Sequence, residues 1–549
     1  MTTFRGPPLS TEPDIGALTL GGFLREVATR HADREAIAFH PDGVAAPAGP
    51  GGRVQSPVLR WSYAGLADDA ARMAKALLAC GAGKGTRVAL LMGNRPEWVS
   101  TAYGVALAGA VLVPLNTWYE PPELAYVLRH SDAALLLVQR RLLTHDYLEE
   151  LAPAGGSELP FLRRVVCLGD EWDEFLASGD DVADARLDAA ASEVAPADDA
   201  VVVYTSGTTA RPKGVLHAHR APALQAWRFA RLLRLGPDVR TWSAFPFFWS
   251  AGFNMVMGAT LAAGGCLVLQ EHFEPGEALR LLEAERVTSP HAWPHQLAQL
   301  EDHPDWETRD LSALRHVEAF TSFGRHKTVR VEDAWSPRAA YGATETATIV
   351  SSLPADAPAD ERIDNHGVVL PGNALRIIDP ATGEALGPGQ SGEIAVKGPT
   401  LMKGYVKVLP EACFDEDGFF HTGDAGFVDE RDRLHWTGRT SDLIKTGGAN
   451  VSPVEIEETL LRHPGLTAAL AVGLPHSTLG EMVVVCAVAH HGHRVDEDDV
   501  RAFLRGRIAS YKIPRRVVFV EESDLTLTGN AKIRTDDLRA LASRLLDER

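Results

Sequence analysis

The residue pattern predicts an α/β chain: a large N-terminal region of doubly wound sheets with a small β-rich subdomain, followed by a separate α+β unit. Three features carry this expectation. The 549 residues are too many for one ordinary core, so at least two domains are required. Between residues 88 and 138, short apolar runs alternate with helix-like periodicity, the mark of parallel strands joined by helices. From about residue 350 the texture changes to short strands separated by Gly and Pro turns.

Residues 15–36 and 62–82 repeat apolar positions at helical spacing. Val88-Ala89-Leu90-Leu91 reads as a buried strand, 96–110 as a helix and 111–115 as the next strand. A further helix starts near Pro121-Pro122-Glu123, where proline suits a first turn. Residues 134–138 form another strand, while 41–58 and 178–198 read as surface loops. Residues 255–265 are too few and too rich in Gly and Ala to cross a bilayer, and read as a core helix. Residues 375–378 and 393–396 are strands of the β-rich subdomain. After Gly438 the chain restarts as a compact α+β unit, so the domains are expected at 1–440 and 441–549.

Composition excludes several classes. The net charge is −19, from 54 basic and 73 acidic residues, which disfavours nucleic acid or an anionic membrane as a partner. The five cysteines lie far apart, with neither metal-ligand spacing nor a disulfide framework, as suits a reducing cytoplasm. No membrane span is expected, and nothing fixes an oligomeric state.

Residues 204–215 are the most informative stretch. The β-branched run Val201-Val202-Val203-Tyr204 breaks into Thr205-Ser206-Gly207-Thr208-Thr209-Ala210-Arg211-Pro212-Lys213-Gly214. Hydroxyls and bare backbone N–H groups offer donors, Gly lets the backbone close in, and Lys213 adds a charge, so the loop can hold phosphates. It is not a Walker A loop, because Gly214 rather than Ser or Thr follows Lys213. His217 and His219 form a His-x-His pair without a third ligand nearby, and read as structural.

The loop resembles the phosphate-binding signature of the adenylate-forming superfamily: acyl-CoA ligases, peptide-synthetase adenylation domains and luciferases. It matches at Thr205, Ser206, Gly207, Thr208, Thr209, Pro212, Lys213 and Gly214, and departs at Ala210, where the family usually has Gly. Tyr341-Gly342-Ala343-Thr344-Glu345-Thr346 resembles the second core signature, in family order about 130 residues on. There an aromatic can stack on adenine, a Thr hydroxyl can reach a phosphate and a carboxylate can hold Mg²⁺. Thr422-Gly423-Asp424 resembles the ribose-binding turn, and residues 438–453 the long signature around the domain joint. Thr528-Gly529-Asn530-Ala531-Lys532 resembles the last signature, with Ala531 at the usual Gly.

The resemblance implies an acyl-CoA ligase, with ATP and CoA as substrates, Mg²⁺ as cofactor, and a hydrophobic, bulky or cyclic carboxylic acid as partner. Lys532, Glu345 and Thr205 are the catalytic candidates. Thr205, Ser206, Gly207, Thr208, Thr209, Lys213 and Thr344 would bind phosphates, and Tyr341, Gly342, Asp424 and Arg439 adenine and ribose. Trp249, Lys445, Gly447 and Gly448 belong to the CoA, thioester-forming state. Phe248, Trp249, Phe320 and Thr321 line the acyl pocket, Glu345 holds Mg²⁺, and Ser441 is the hinge of a mobile C-terminal domain. An aromatic cluster is more often core than gate, so Phe245 and Phe247 read as core and Trp249 as either. Ala210, Ala531 and Phe320-Thr321 all depart from the pattern on the ATP side. That leaves a second reading, in which the protein only converts preformed acyl-adenylate to the thioester. A carrier-protein acyl ligase and a non-catalytic nucleotide-binding protein are the further alternatives.

Overall fold

A computed structural model describes residues 2–41, 58–119, 121–152, 159–169, 171–205, 212–331, 335–439, 444–446, 449–451, 453–490, 492, 494–505, 507–508, 512–521, 524 and 535–547, with backbone alone at 294, 295, 439, 445, 449 and 450. They form two compact units. The larger comprises Arg5–Ala374 with Lys397–Phe420; the smaller comprises Met1–Phe4, Leu375–Val396 and His421–Arg549. The expected boundary at 440/441 falls outside the described residues. Among the described residues, no helix is long and apolar enough to cross a membrane.

Two large sheets run through the larger unit. One runs in the order Gly404–Tyr405, Lys213–Ala218, Asp199–Thr205, Val111–Pro114, Arg87–Leu91, Leu135–Val138, Arg164–Cys167. The last five strands are parallel, while Lys213–Ala218 is antiparallel to both of its neighbours. The seven residues that separate Thr205 from Lys213 are too few for a crossover, so the chain returns as a hairpin. The second sheet runs Ser289–His291, Arg240–Ser243, Cys266–Leu269, Glu35–Phe39, Leu59–Ser62, parallel except for the last pair. The sheets are therefore mixed rather than purely parallel.

Helices cover the first sheet as the periodicity predicts. Tyr63–Ala79 buries Leu66, Ala70, Met73, Ala74 and Leu77 on one stripe, and the Ser62 hydroxyl caps it by accepting from Gly65 N at 3.1 Å. Pro96–Leu107 is buried all round, and Gly104 lets it lie against Met73, where a Cβ would stand 2.7 Å from the Met73 side chain. The apolar stretch at 255–265 is a buried core helix in two parts: the π-helix Ala251–Gly258 continues into Ala259–Ala262. Two expectations change. The segment 15–36 forms the shorter helix Leu20–His31, capped by the Thr19 hydroxyl, and then gives way to the strand Glu35–Phe39. The supposed loop 178–198 contains the helix Asp184–Ser192, where Ala propensity suffices with Leu187 as the buried anchor.

In the smaller unit, Phe4–Arg5, Ala374–Ile378, Gly392–Lys397, Phe420–Val428 and Leu434–Arg439 form one sheet. A second contains Ala449–Val451, Ile444–Thr446, Gly480–Ala489 and Leu466–His476, with Arg516–Phe519 parallel to Gly480–Ala489. Strand alternation divides its core. Val483, Val485 and Ala487 face helices Pro453–Leu460 and Glu497–Leu504, while Val484, Cys486 and Val488 face Thr535–Asp547.

Candidate functional site

The hairpin sets Thr205 opposite Lys213 and Tyr204 opposite Gly214. Gly214 is required there, because a Cβ would stand 2.9 Å from the Tyr204 ring. Ser206, Gly207, Thr208, Thr209 and Ala210 lie outside the described residues. Lys213 is thus delivered to the end of the sheet, beside the edge strand Gly404–Tyr405, which pairs Tyr405 with Val215.

Tyr405 joins Lys213 to the second signature. The Lys213 ammonium lies 5.2 Å from the Tyr405 ring centroid, and the Tyr405 hydroxyl donates to Glu345 Oε1 at 2.7 Å. Met402 N donates to the Glu345 carbonyl at 2.7 Å. His217 Nε2 donates to the Thr344 carbonyl at 2.7 Å, and burial pushes its pKa down to about 4, so the ring is neutral with the proton on Nε2. His219 is likewise pushed by burial to about 4, and its Nδ1 accepts from Leu20 N at 3.3 Å. Both rings are thus engaged with backbone inside the larger unit, and no cluster of three or more His, Cys, Asp or Glu suited to a metal occurs among the described residues.

Glu345 fits an Mg²⁺ that arrives with a nucleotide. Its Oε1 is fixed by Tyr405, while Oε2 has no hydrogen bond among the described residues. One carboxylate beside substrate phosphates is the donor set Mg²⁺ commonly takes. Tyr341 is buried on the short strand Ala340–Tyr341, which pairs with Ser351–Ser352. At Gly342 a Cβ would fall 2.1 Å from the Thr348 carbonyl oxygen, so the Tyr341–Thr344 backbone can close on itself only with glycine there.

Phe248 and Trp249 belong to one aromatic cluster. Trp249 lies 5.0 Å from Trp118, 5.6 Å from Phe248 and 6.5 Å from Trp293 between ring centroids, and Phe245 lies 4.5 Å from Trp293. Trp118 and Trp293 are 40% and 37% exposed, so the cluster presents an open apolar edge rather than a closed core. Phe320 and Thr321 sit in different surroundings. Phe320 is 52% exposed, with the Arg338 guanidinium 4.4 Å from its ring centroid. Thr321 caps Ser322–Arg325 and donates to the Glu318 carbonyl at 2.7 Å.

In the smaller unit, Asp424 is buried and pairs in register with Arg439. Its turn is fixed by Gly423 N donating to Glu393 Oε1 at 2.9 Å and by the Thr422 hydroxyl, which donates to the Ile394 carbonyl at 2.8 Å. Gly423 has φ 71°, a conformation that favours glycine. Lys445 pairs with Asn450 across a hairpin. Ser441, Gly447, Gly448, Ala531 and Lys532 lie outside the described residues, as do the side chains of Arg439 and Lys445. Tyr405, Trp118 and Trp293 join the site without having been expected.

The AMP-binding enzyme family matches residues 24–406, and the C-terminal domain of AMP-binding enzymes matches residues 455–532. The chain is 34% identical to a feruloyl-CoA synthase from Amycolatopsis sp. over 493 residues, 87% of this chain and 93% of that protein. It is 33% identical to indoleacetate–CoA ligase from Aromatoleum aromaticum over 504 residues, 89% and 95% of the two chains. Among solved structures, ATP-bound MatB from Rhodopseudomonas palustris superposes with a TM-score of 0.76 at 29% identity, covering 95% of this chain and 98% of that one.

Proposed function

The chain belongs to the AMP-binding enzyme family, among the acyl-CoA ligases, and on that premise we propose that it joins a hydrophobic, ring-bearing carboxylic acid to CoA through an acyl-adenylate. The acid's carboxylate attacks the α-phosphate of ATP and pyrophosphate leaves. The CoA thiol then attacks the acyl carbon and AMP leaves. Lys213 and Thr205 would hold the departing phosphates. Lys532 would neutralise charge on the α-phosphate as the bond forms. Asp424 would accept from the ribose hydroxyls and Tyr341 would stack on adenine. Glu345 would hold Mg²⁺, which supplies charge neutralisation to the triphosphate when bound. The residues after 440, hinged at Ser441, would turn to bring Gly447-Gly448 and Lys445 to the thioester step.

The observation that carries this reading is the Lys213–Tyr405–Glu345 chain at the mouth of the hairpin. It holds a cation against the face of one ring and a carboxylate at that ring's hydroxyl, which are group types suited to phosphates and to Mg²⁺. The open edge at Trp118, Trp249 and Trp293 supports an acid with a flat or fused ring. So do the names of relatives that act on feruloyl and indoleacetate groups. The test is a panel of aryl, fused-ring and straight-chain acids with MgATP and CoA, read for thioester by mass spectrometry and for pyrophosphate separately. Ring-bearing acids are expected to give both products. Thioester from synthetic acyl-adenylate without pyrophosphate from any acid would move the enzyme to the second half-reaction alone, and neither product would end the reading.

A further inference from the structure

Three buried side chains from three elements converge on one turn, residues 344–349, which carries Thr344 and Glu345. His217, on Lys213–Ala218, holds the Thr344 carbonyl at 2.7 Å. Gln225, on helix Arg220–Leu232, donates Nε2 to the Thr346 carbonyl at 3.2 Å and to the Ile349 carbonyl at 2.7 Å. Asn254, on the π-helix Ala251–Gly258, donates Nδ2 to the Ala347 carbonyl at 3.2 Å and to Thr348 Oγ1 at 3.1 Å. Thr348 Oγ1 then donates to the Ser250 carbonyl at 3.2 Å, one residue beyond Trp249.

The turn requires such restraint. Ala347 is left-handed at φ 50°, and Thr348 follows at φ 96°. A β-branched residue at positive φ is a backbone outlier that persists only where its surroundings over-determine it. Released, Thr348 would relax toward negative φ and turn the Thr344-Glu345 segment with it. The polar side chain that meets Thr348 is costly to keep. Asn254 is 4% exposed amid the apolar Phe253, Val256 and Met257, and its Oδ1 has no partner among the described residues. A π-turn carries an extra residue and re-aims the side chains around it, a feature found often at functional sites. Gly258 brings this helix against Ala226, where a Cβ would stand 2.9 Å from the Ala226 Cβ, so Gln225 and Asn254 reach the same turn from adjacent helices.

We propose that Asn254 is a positioning residue for the first half-reaction. Through the Ala347-Thr348 backbone it holds Glu345 and Thr344 in the arrangement that receives the polyphosphate of MgATP, and through Thr348 it ties that arrangement to the backbone beside Trp249. The role given to Glu345 rests on the ligase reading above. A residue that merely supported the fold would weaken all ligands of the larger unit alike. A positioning residue weakens those that need Glu345.

The experiment compares Asn254→Ala and Thr348→Gly with the parent protein, measuring MgATP and AMP binding by calorimetry. Thioester formation from a synthetic acyl-adenylate is measured alongside. Thr348→Gly removes the hydroxyl through which Asn254 Nδ2 and the Ser250 carbonyl hold the turn. Glycine can adopt φ 96° but is equally free to leave it, so the turn is loosened without strain and the test stays open should Asn254→Ala fail to fold. Each variant is expected to lose about tenfold in MgATP affinity and less than about twofold in AMP affinity and in the second half-reaction, and the double variant to be no weaker than either single one. Unchanged MgATP affinity in folded variants, or equal losses for MgATP and AMP, overturns the proposal. A parent that binds MgATP but releases no pyrophosphate with any acid counts against the ligase reading, while the MgATP-to-AMP comparison still decides the role of Asn254.

Discussion

Tyr405 does two things with one side chain. Its ring face meets the Lys213 ammonium, and its hydroxyl fixes one oxygen of Glu345. The two opposite charges are therefore held near each other without forming an ion pair that would neutralise both. Tyr405→Phe keeps the ring and frees the carboxylate. A hydrogen bond to a charged group contributes about 1.5–3 kcal/mol, so kcat/KM for MgATP in pyrophosphate release is expected to fall at least tenfold, with little change in melting temperature. Unchanged pyrophosphate kinetics would show that Glu345 needs no such anchor. Lys213, Thr344 and Glu345 were legible in the sequence because each sits in a motif whose residue types match its chemistry. Tyr405 was not, since a two-residue edge strand leaves no periodicity to read. Asn254 did leave a signal: it is the one polar side chain in Gly252-Phe253-Asn254-Met255-Val256, and a carboxamide in such a run asks for a buried partner.

At the level of elements, the aromatic cluster is built from segments that the chain keeps far apart. Trp118 follows the strand Val111–Pro114, Trp249 precedes the π-helix, and Trp293 caps the helix Pro294–Glu301. Sequence spacing could not unite them, although the aromatic run around Phe248 and Trp249 marked one member. Trp118→Ala removes one exposed wall and is expected to lower kcat/KM for fused-ring acids about tenfold, while short straight-chain acids change less than about twofold. Equal effects across an acid series would remove Trp118 from substrate recognition. The strands of the larger unit were read well because both faces of the central ones are buried, which gives continuous apolar runs. The antiparallel return at Lys213–Ala218 could be inferred only from loop length. The helix Asp184–Ser192 was hidden by a nearly featureless Ala and Asp composition, with Leu187 alone buried.

For the molecule as a whole, buried neutral histidines set the acid limit of stability. Burial pushes His217, His219 and His291 each to about 4, all in the larger unit. Above pH 6.5 both folded and unfolded chains leave these rings neutral. Between pH 6.5 and 4 the unfolded chain takes up protons that the folded chain refuses, so stability falls as pH falls, by up to about 1.4 kcal/mol per pH unit for each histidine. Below about pH 4 the loss levels off. Urea midpoints at pH 7.5, 6 and 5 are expected to decline steadily, and His219→Gln to flatten the slope. A flat profile across this window would mean that the rings protonate in the native state.

The edge strand Gly404–Tyr405 docks on Lys213–Ala218 after nearly two hundred intervening residues. The link between Lys213 and Glu345 is consequently finished late in chain order. A nascent chain released up to residue 400 already carries the motifs at 204–215 and 341–346, yet lacks the phenol that spans them. Fragments cut there would keep every recognisable motif of the larger unit and still leave Lys213 and Glu345 unconnected.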